Sequence, residues 1–151
     1  MKNIRLSSCF NLEDFALSET AIREGLDNTP PADVVEGLRQ LAENVLEPVK
    51  AQFDTRPQIS SGYRCPALNS RIGGVPDSQH ITGQAVDFEL PGQDLLEVAC
   101  WMRDSLDYDQ LLLERAGGKV WIHCSYVSPS ANRREVKWFD GATWHSGLPE
   151  Q

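Results

Sequence analysis

The sequence predicts an α+β domain, and three observations carry that reading. Residues 29–49 and 95–102 repeat apolar side chains every three or four positions, the spacing of a helix that buries one face. Residues 84–90 and 120–125 alternate apolar and polar side chains, as half-buried strands do. Gly117-Gly118 and Asp140-Gly141 interrupt strand-like stretches in the manner of hairpin turns.

Residues 1–28 read as an irregular lead-in whose apolar points, Leu12, Phe15 and Leu17, pack on the domain. Thr29-Pro30-Pro31-Ala32-Asp33 opens the first helix, with proline near the first turn, where a missing N–H costs least. Val34, Leu38, Leu41, Val45 and Val49 form its apolar stripe, and Pro48 is expected to bend or shorten its end. Gln58-Ile59-Ser60-Ser61 reads as a short strand, and residues 66–72 as a short helix closed by Gly73-Gly74. A loop rich in Gly, Pro and Ser runs on to Gly83 and carries His80.

In the strand at 84–90, Val86, Phe88 and Leu90 face one way, while Ala85, Asp87 and Glu89 face the other. Leu95, Leu96, Val98, Ala99 and Met102 mark the second helix. Residues 109–114 and 120–125 pair as a hairpin. Val120, Ile122 and Cys124 share its core face with Leu111 and Leu113, leaving Gln110, Leu112 and Glu114 beside His123. Residues 135–139 and 143–144 form a second hairpin, so the single domain 1–151 divides into lead-in, core (29–125) and a C-terminal hairpin and tail (126–151).

At 151 residues the chain is long enough to bury a core without covalent staples. Its hydrophobic content of 40% and charged content of 24% describe an ordinary globule. A net charge of −8 argues against a nucleic-acid partner. No apolar run approaches the roughly 20 residues that span a bilayer, so no membrane insertion is expected. The basic start lacks an apolar export core, and the expectation is synthesis in the cytoplasm without a signal peptide. The four scattered cysteines (Cys9, Cys65, Cys100 and Cys124) then read as free thiols rather than disulfide partners.

The chemistry gathers around His80, Asp87 and His123. Two imidazoles and a carboxylate make three protein ligands, the number that lets a catalytic zinc keep a fourth position for water. On a helix, positions seven apart are separated by about 10 Å, too far for one ion, so His80 belongs to the loop and Asp87 to the strand after it. His145, the last of three histidines, reads as a surface residue. A base is also needed. Glu114 on the His123 face is the first choice and Glu89 the second, each with the competing reading of an ordinary surface glutamate. Arg64 has the fork to grip a substrate carboxylate, or else makes a structural ion pair. Ser78 and Gln79 line the pocket or hydrogen-bond the loop, and Cys124 is assigned to packing.

Ser61-Gly-Tyr-Arg, Leu68-Asn-Ser-Arg-Ile-Gly-Gly, Ser78-Gln-His, Gly83-Gln-Ala-Val-Asp-Phe and Trp121-Ile-His closely resemble the zinc D-alanyl-D-alanine carboxypeptidase-like murein peptidases. The single-domain form of bacteriophages and prophages is the nearer likeness, and Asp27-Asn-Thr-Pro-Pro extends it toward the N-terminus. The resemblance implies a small antiparallel sheet with zinc on one face and helices packed on the other. It makes His80, Asp87 and His123 the Zn²⁺ ligands and Arg64 the carboxylate-binding residue. Many relatives place the base three residues before the last histidine, where this chain has Val120; the phage-type form carries it on the preceding strand, at Glu114.

What the resemblance implies is a zinc metallopeptidase acting on peptidoglycan stem peptides, as a D-Ala-D-Ala carboxypeptidase or an endopeptidase. A monomer is expected. With no separate wall-binding segment, it would reach the wall on release from the cell or as part of a virion. Two alternatives stand beside it: a zinc-binding structural or tail-associated phage protein with little turnover, and a cytosolic dipeptidase on D,D-dipeptides.

Overall fold

The computed structural model describes residues 2–151. In chain order it contains α1 (Leu12–Ala16), α2 (Glu19–Glu24), α3 (Ala32–Leu41), a π turn (Ala42–Leu46), α4 (Glu47–Phe53), β1 (Gln58–Ser61) and α5 (Pro66–Arg71). Then follow β2 (Ala85–Glu89), α6 (Leu95–Ser105), β3 (Gln110–Ala116), β4 (Lys119–Ser125), β5 (Glu135–Phe139) and β6 (Trp144–Ser146).

The fold is α+β, but the sheet is neither small nor wholly antiparallel. It has six strands in the order β1-β2-β4-β3-β5-β6, and β5 runs parallel to β3. The reason lies in which edges are free. β4 is paired with β2 on one side and β3 on the other. The chain leaving β4 therefore rejoins the sheet at the open edge of β3, and it arrives from the end at which β3 begins. The crossing is fastened there, with Arg134 N–H donating to the Tyr108 carbonyl at 3.2 Å and Glu135 N–H to that of Asp109 at 2.9 Å.

The lead-in is not irregular, as the sequence reading expected. The Asp14 carboxylate accepts the Asn11 N–H at 2.7 Å at the start of α1, and Ser18 Oγ accepts the Ala21 N–H at 3.2 Å to cap α2. Gly25, at φ 67, ends α2 in the left-handed region. Helices of five and six residues are too short to display an apolar period. Phe10, Leu12 and Phe15 are core residues, whereas Leu17, expected to pack, is 69% exposed.

The long helical stripe behaves as its spacing predicts: Val34, Leu38, Leu41, Val45 and Val49 are all buried. The expected shortening at Pro48 does not occur, because the helix continues to Phe53. The irregularity lies one turn earlier, in the π turn, and leaves Pro48 in the first turn of α4, where it needs no N–H donor.

One cluster holds the core. Val86, Phe88, Leu111, Leu113, Ile122 and Cys124 from one face of the sheet join the α3 stripe and Val98, Ala99 and Met102 of α6. Each such side chain contributes about 1.5–3 kcal/mol on leaving water. Covering one face with helices leaves the other to the polar side chains of the same strands. Among the described residues, no helix is long and apolar enough to cross a membrane.

Candidate metal centre

β2 and β4 are antiparallel, with Asp87 directly opposite His123. Opposed residues share a face, and this pair projects away from the helix-covered core. His123 Nδ1 lies 2.7 Å from Asp87 Oδ1. His80 arrives from the loop before β2, with Nε2 3.5 Å from the same oxygen and its ring centroid 5.3 Å from that of His123. One donor atom from each of the three residues lies within 4.8 Å of the others.

The backbone seats His80. Its Nδ1 is 2.7 Å from the Gly62 carbonyl oxygen, which can only accept, so Nδ1 carries the proton and the Nε2 lone pair faces Asp87. Arg64 N–H donates to the His80 carbonyl at 3.1 Å, and His80 N–H donates to Ser78 Oγ at 3.2 Å. Gly62 permits this arrangement because its Cα runs against the Phe15 backbone, where a side chain has no room. Asn28 braces the same segment, donating to the Ala16 and Tyr63 carbonyls and accepting the Cys65 N–H at 2.7 Å.

Electrostatics sorts the two carboxylates on this face. Burial would push the Asp87 carboxyl up, but the hydrogen bonds and charges of His123 and His80 outweigh it and hold the group well below the usual carboxylate range. Glu114 is pushed up, first by burial and then by the charge of Asp87, against the pull of His123 and of the Trp121 indole. Trp121 Nε1 donates to Glu114 Oε2 at 3.2 Å across the β3–β4 pair. The donor set of two imidazole nitrogens and one ionised carboxylate oxygen suits zinc, and three ligands leave a position open.

A cavity of about 640 Å³ opens over the cluster, and Arg64, Ser78, Gln79, Glu114, Trp121 and Arg133 line it with the three donors. Arg64 makes no ion pair among the described residues. Its Nε donates to Ser61 Oγ at 3.1 Å and its Nη1 to Asn69 Oδ1 at 3.3 Å, both neutral partners. Ser78 and Gln79 both line the cavity; Ser78 Oγ also accepts the His80 N–H within the loop, whereas the Gln79 side chain donates to Asp109 outside it. Glu89 is not among the residues that line the cavity. Cys124 is fully buried in the core and all four cysteines are free. His145 is exposed beyond the cavity and pairs with Asp140 at 2.8 Å.

Sequence reasoning missed one network beside the site. The buried carboxylate of Asp109 accepts from Gln79, Ser125 and Arg133. Its partners are separated from it by 16 residues or more, and no local pattern announces such a meeting. The role of the Trp121 indole was equally hidden, since it depends on the strand register.

A comparison with curated proteins returns no match. Residues 8–125, which carry the three donors, Arg64 and Glu114, match the family model described as Peptidase M15. The chain thus belongs to the peptidase M15 family, the zinc-dependent D-alanyl-D-alanine carboxypeptidase-like peptidases.

Proposed function

We propose that this protein is a zinc metallopeptidase that hydrolyses peptide bonds of the peptidoglycan stem peptide, as a terminal D-Ala-D-Ala carboxypeptidase or as an endopeptidase. The observation that carries the reading is the convergence of His80, Asp87 and His123 within 4.8 Å, on the floor of a cavity that also holds Glu114 and Arg64. Membership of a zinc-dependent peptidase family acting on peptidoglycan supports the substrate class.

His80 Nε2, Asp87 Oδ1 and His123 Nδ1 are the atoms placed to hold the metal. Zinc bound there supplies a Lewis acid and brings the pKa of a coordinated water toward about 7. Glu114 takes the proton of the attacking water and returns one to the leaving amine, with the Trp121 indole holding one of its oxygens. Arg64, whose hydrogen-bond partners among the described residues are neutral, grips a carboxylate of the stem peptide and so would position the scissile bond. Delivery to the wall from the cytoplasm on phage lysis, or within a virion, belongs to the same proposal and rests on the likeness to the phage-type form.

The test is mass spectrometry of defined muropeptides incubated with zinc-loaded protein and with Glu114→Ala. Cleavage by the former alone is expected, and the product masses identify the bond. No cleavage by either, with one zinc bound, points instead to a structural zinc protein. Hydrolysis restricted to free D-Ala-D-Ala points to a dipeptidase. Cleavage undiminished in Glu114→Ala removes Glu114 as the base.

A further inference from the structure

Arg133 lies beyond the stretch that matches the family, yet it lines the same cavity as the His80–Asp87–His123 cluster. One side of its guanidinium is taken: Nε donates to Asp109 Oδ1 at 2.9 Å and Nη2 to Oδ2 at 2.7 Å. Asp109 does not depend on that pair alone. It is 1% exposed and also accepts the Arg133 backbone N–H at 3.0 Å, Gln79 Nε2 at 3.0 Å and Ser125 Oγ at 3.1 Å. Side-on pairing uses two of the five guanidinium N–H donors and leaves the end-on fork of Nη1 and Nη2. The side chain is 54% exposed, and among the described residues Nη1 has no acceptor.

Both arginines of the cavity are tied to the loop that carries His80. The Arg64 backbone holds the His80 carbonyl, and Asp109 links Arg133 to Gln79, one residue earlier. We propose that Arg133 is a second carboxylate receptor, so that the site takes a peptide bearing two carboxylates, one for Arg64 and one for Arg133. The inference rests on the peptidase reading and narrows it to stem peptides whose second carboxylate is free rather than amidated. Asp109 is the positioning residue, because it presents the unused fork.

The test is calorimetric binding to the zinc-loaded Glu114→Gln chain, which is not expected to turn the peptide over. Two stem peptides of identical sequence are compared, one with both carboxylates free and one with the carboxylate remote from the C-terminus amidated. The free form is expected to bind about ten- to a hundredfold more tightly, the range of a charge-assisted pair. Arg133→Gln, added to that chain, is expected to erase the difference by weakening the free form alone. Should Arg133→Gln not fold, Arg133→Lys keeps a cation beside Asp109 without the fork, and it too is expected to lose most of the preference. Equal binding of the two peptides with Arg133 intact, or a preference that survives either substitution, overturns the inference. If muropeptides are cleaved but no preference exists, this inference alone falls. If neither peptide binds and no bond breaks, the peptidase reading falls and takes it along.

Discussion

Gly62 and His80 are fitted to each other: the glycine carbonyl takes the imidazole Nδ1 at 2.7 Å, while the glycine Cα faces the Phe15 backbone so closely that an added Cβ would come within 2.7 Å of the Phe15 Cα. The orientation of the His80 ring is thus set by a contact between the lead-in and the end of β1.

Gly62→Ala is therefore expected to injure both fold and site. Overpacking of this kind costs roughly 1–3 kcal/mol, and a displaced carbonyl weakens metal affinity on the order of ten- to a hundredfold. Thermal unfolding and a zinc titration measure the two effects. An alanine variant that unfolds like the wild type and binds zinc as tightly would show that the close approach is dispensable.

Zinc itself is expected to stabilise the chain. A ligand that binds only the folded state adds about 2.7 kcal/mol at a hundred times its dissociation constant. The gain should vanish in His123→Ala, because that substitution removes one of three donors. Unfolding curves with zinc and with a chelator provide the check, and an equal zinc-induced shift in the variant would count against the cluster as the binding site.

Glu114→Gln keeps the side chain's shape and an oxygen for the Trp121 N–H, but it removes the proton acceptor. Turnover of a muropeptide is expected to fall by about 10²- to 10⁴-fold, with zinc stoichiometry unchanged because Glu114 is outside the donor cluster. Elemental analysis alongside steady-state rates separates loss of base from loss of metal.

Asp109 governs an acid limb of stability. Its carboxyl is held well below the usual range, chiefly by the hydrogen bonds from Arg133. Between its folded and unfolded pKa values the unfolded chain binds more protons, so stability rises with pH there. The contribution is complete above the unfolded value near about 4 and is lost as the pH falls toward the folded value. Asp109→Asn is expected to cost about 1–3 kcal/mol at pH 7, with the gap to wild type narrowing as the pH falls from 5 toward 2. Urea unfolding across that range tests it, and a gap independent of pH would contradict the assignment.

Much of this architecture could be read from one strand's parity. Period two placed Val86 and Phe88 in the core and Asp87 on the opposite face, and the same rule put His123 and Glu114 on the side where the register leaves them. The stripe from Val34 to Val49 was legible because a single helix face buries five residues over many turns. Brevity hid α1 and α2. The parallel pairing of β3 with β5 was invisible for another reason: strand order depends on which edge is vacant after β4 is enclosed, a property of the assembled sheet. Asp109 looked like the first residue of a strand, and its side-chain partners, Gln79, Ser125 and Arg133, meet it only in the assembled fold.

β2 and β4 each have a hydrogen-bonded neighbour on both sides, whereas β1 and β6 close the sheet with one open edge apiece. Deuterium uptake should consequently begin at the two margins and travel inward, reaching the amides of Asp87 and His123 among the slowest to exchange. A sheet laid out in this way can fray at its rims while Asp87 and His123 remain in register.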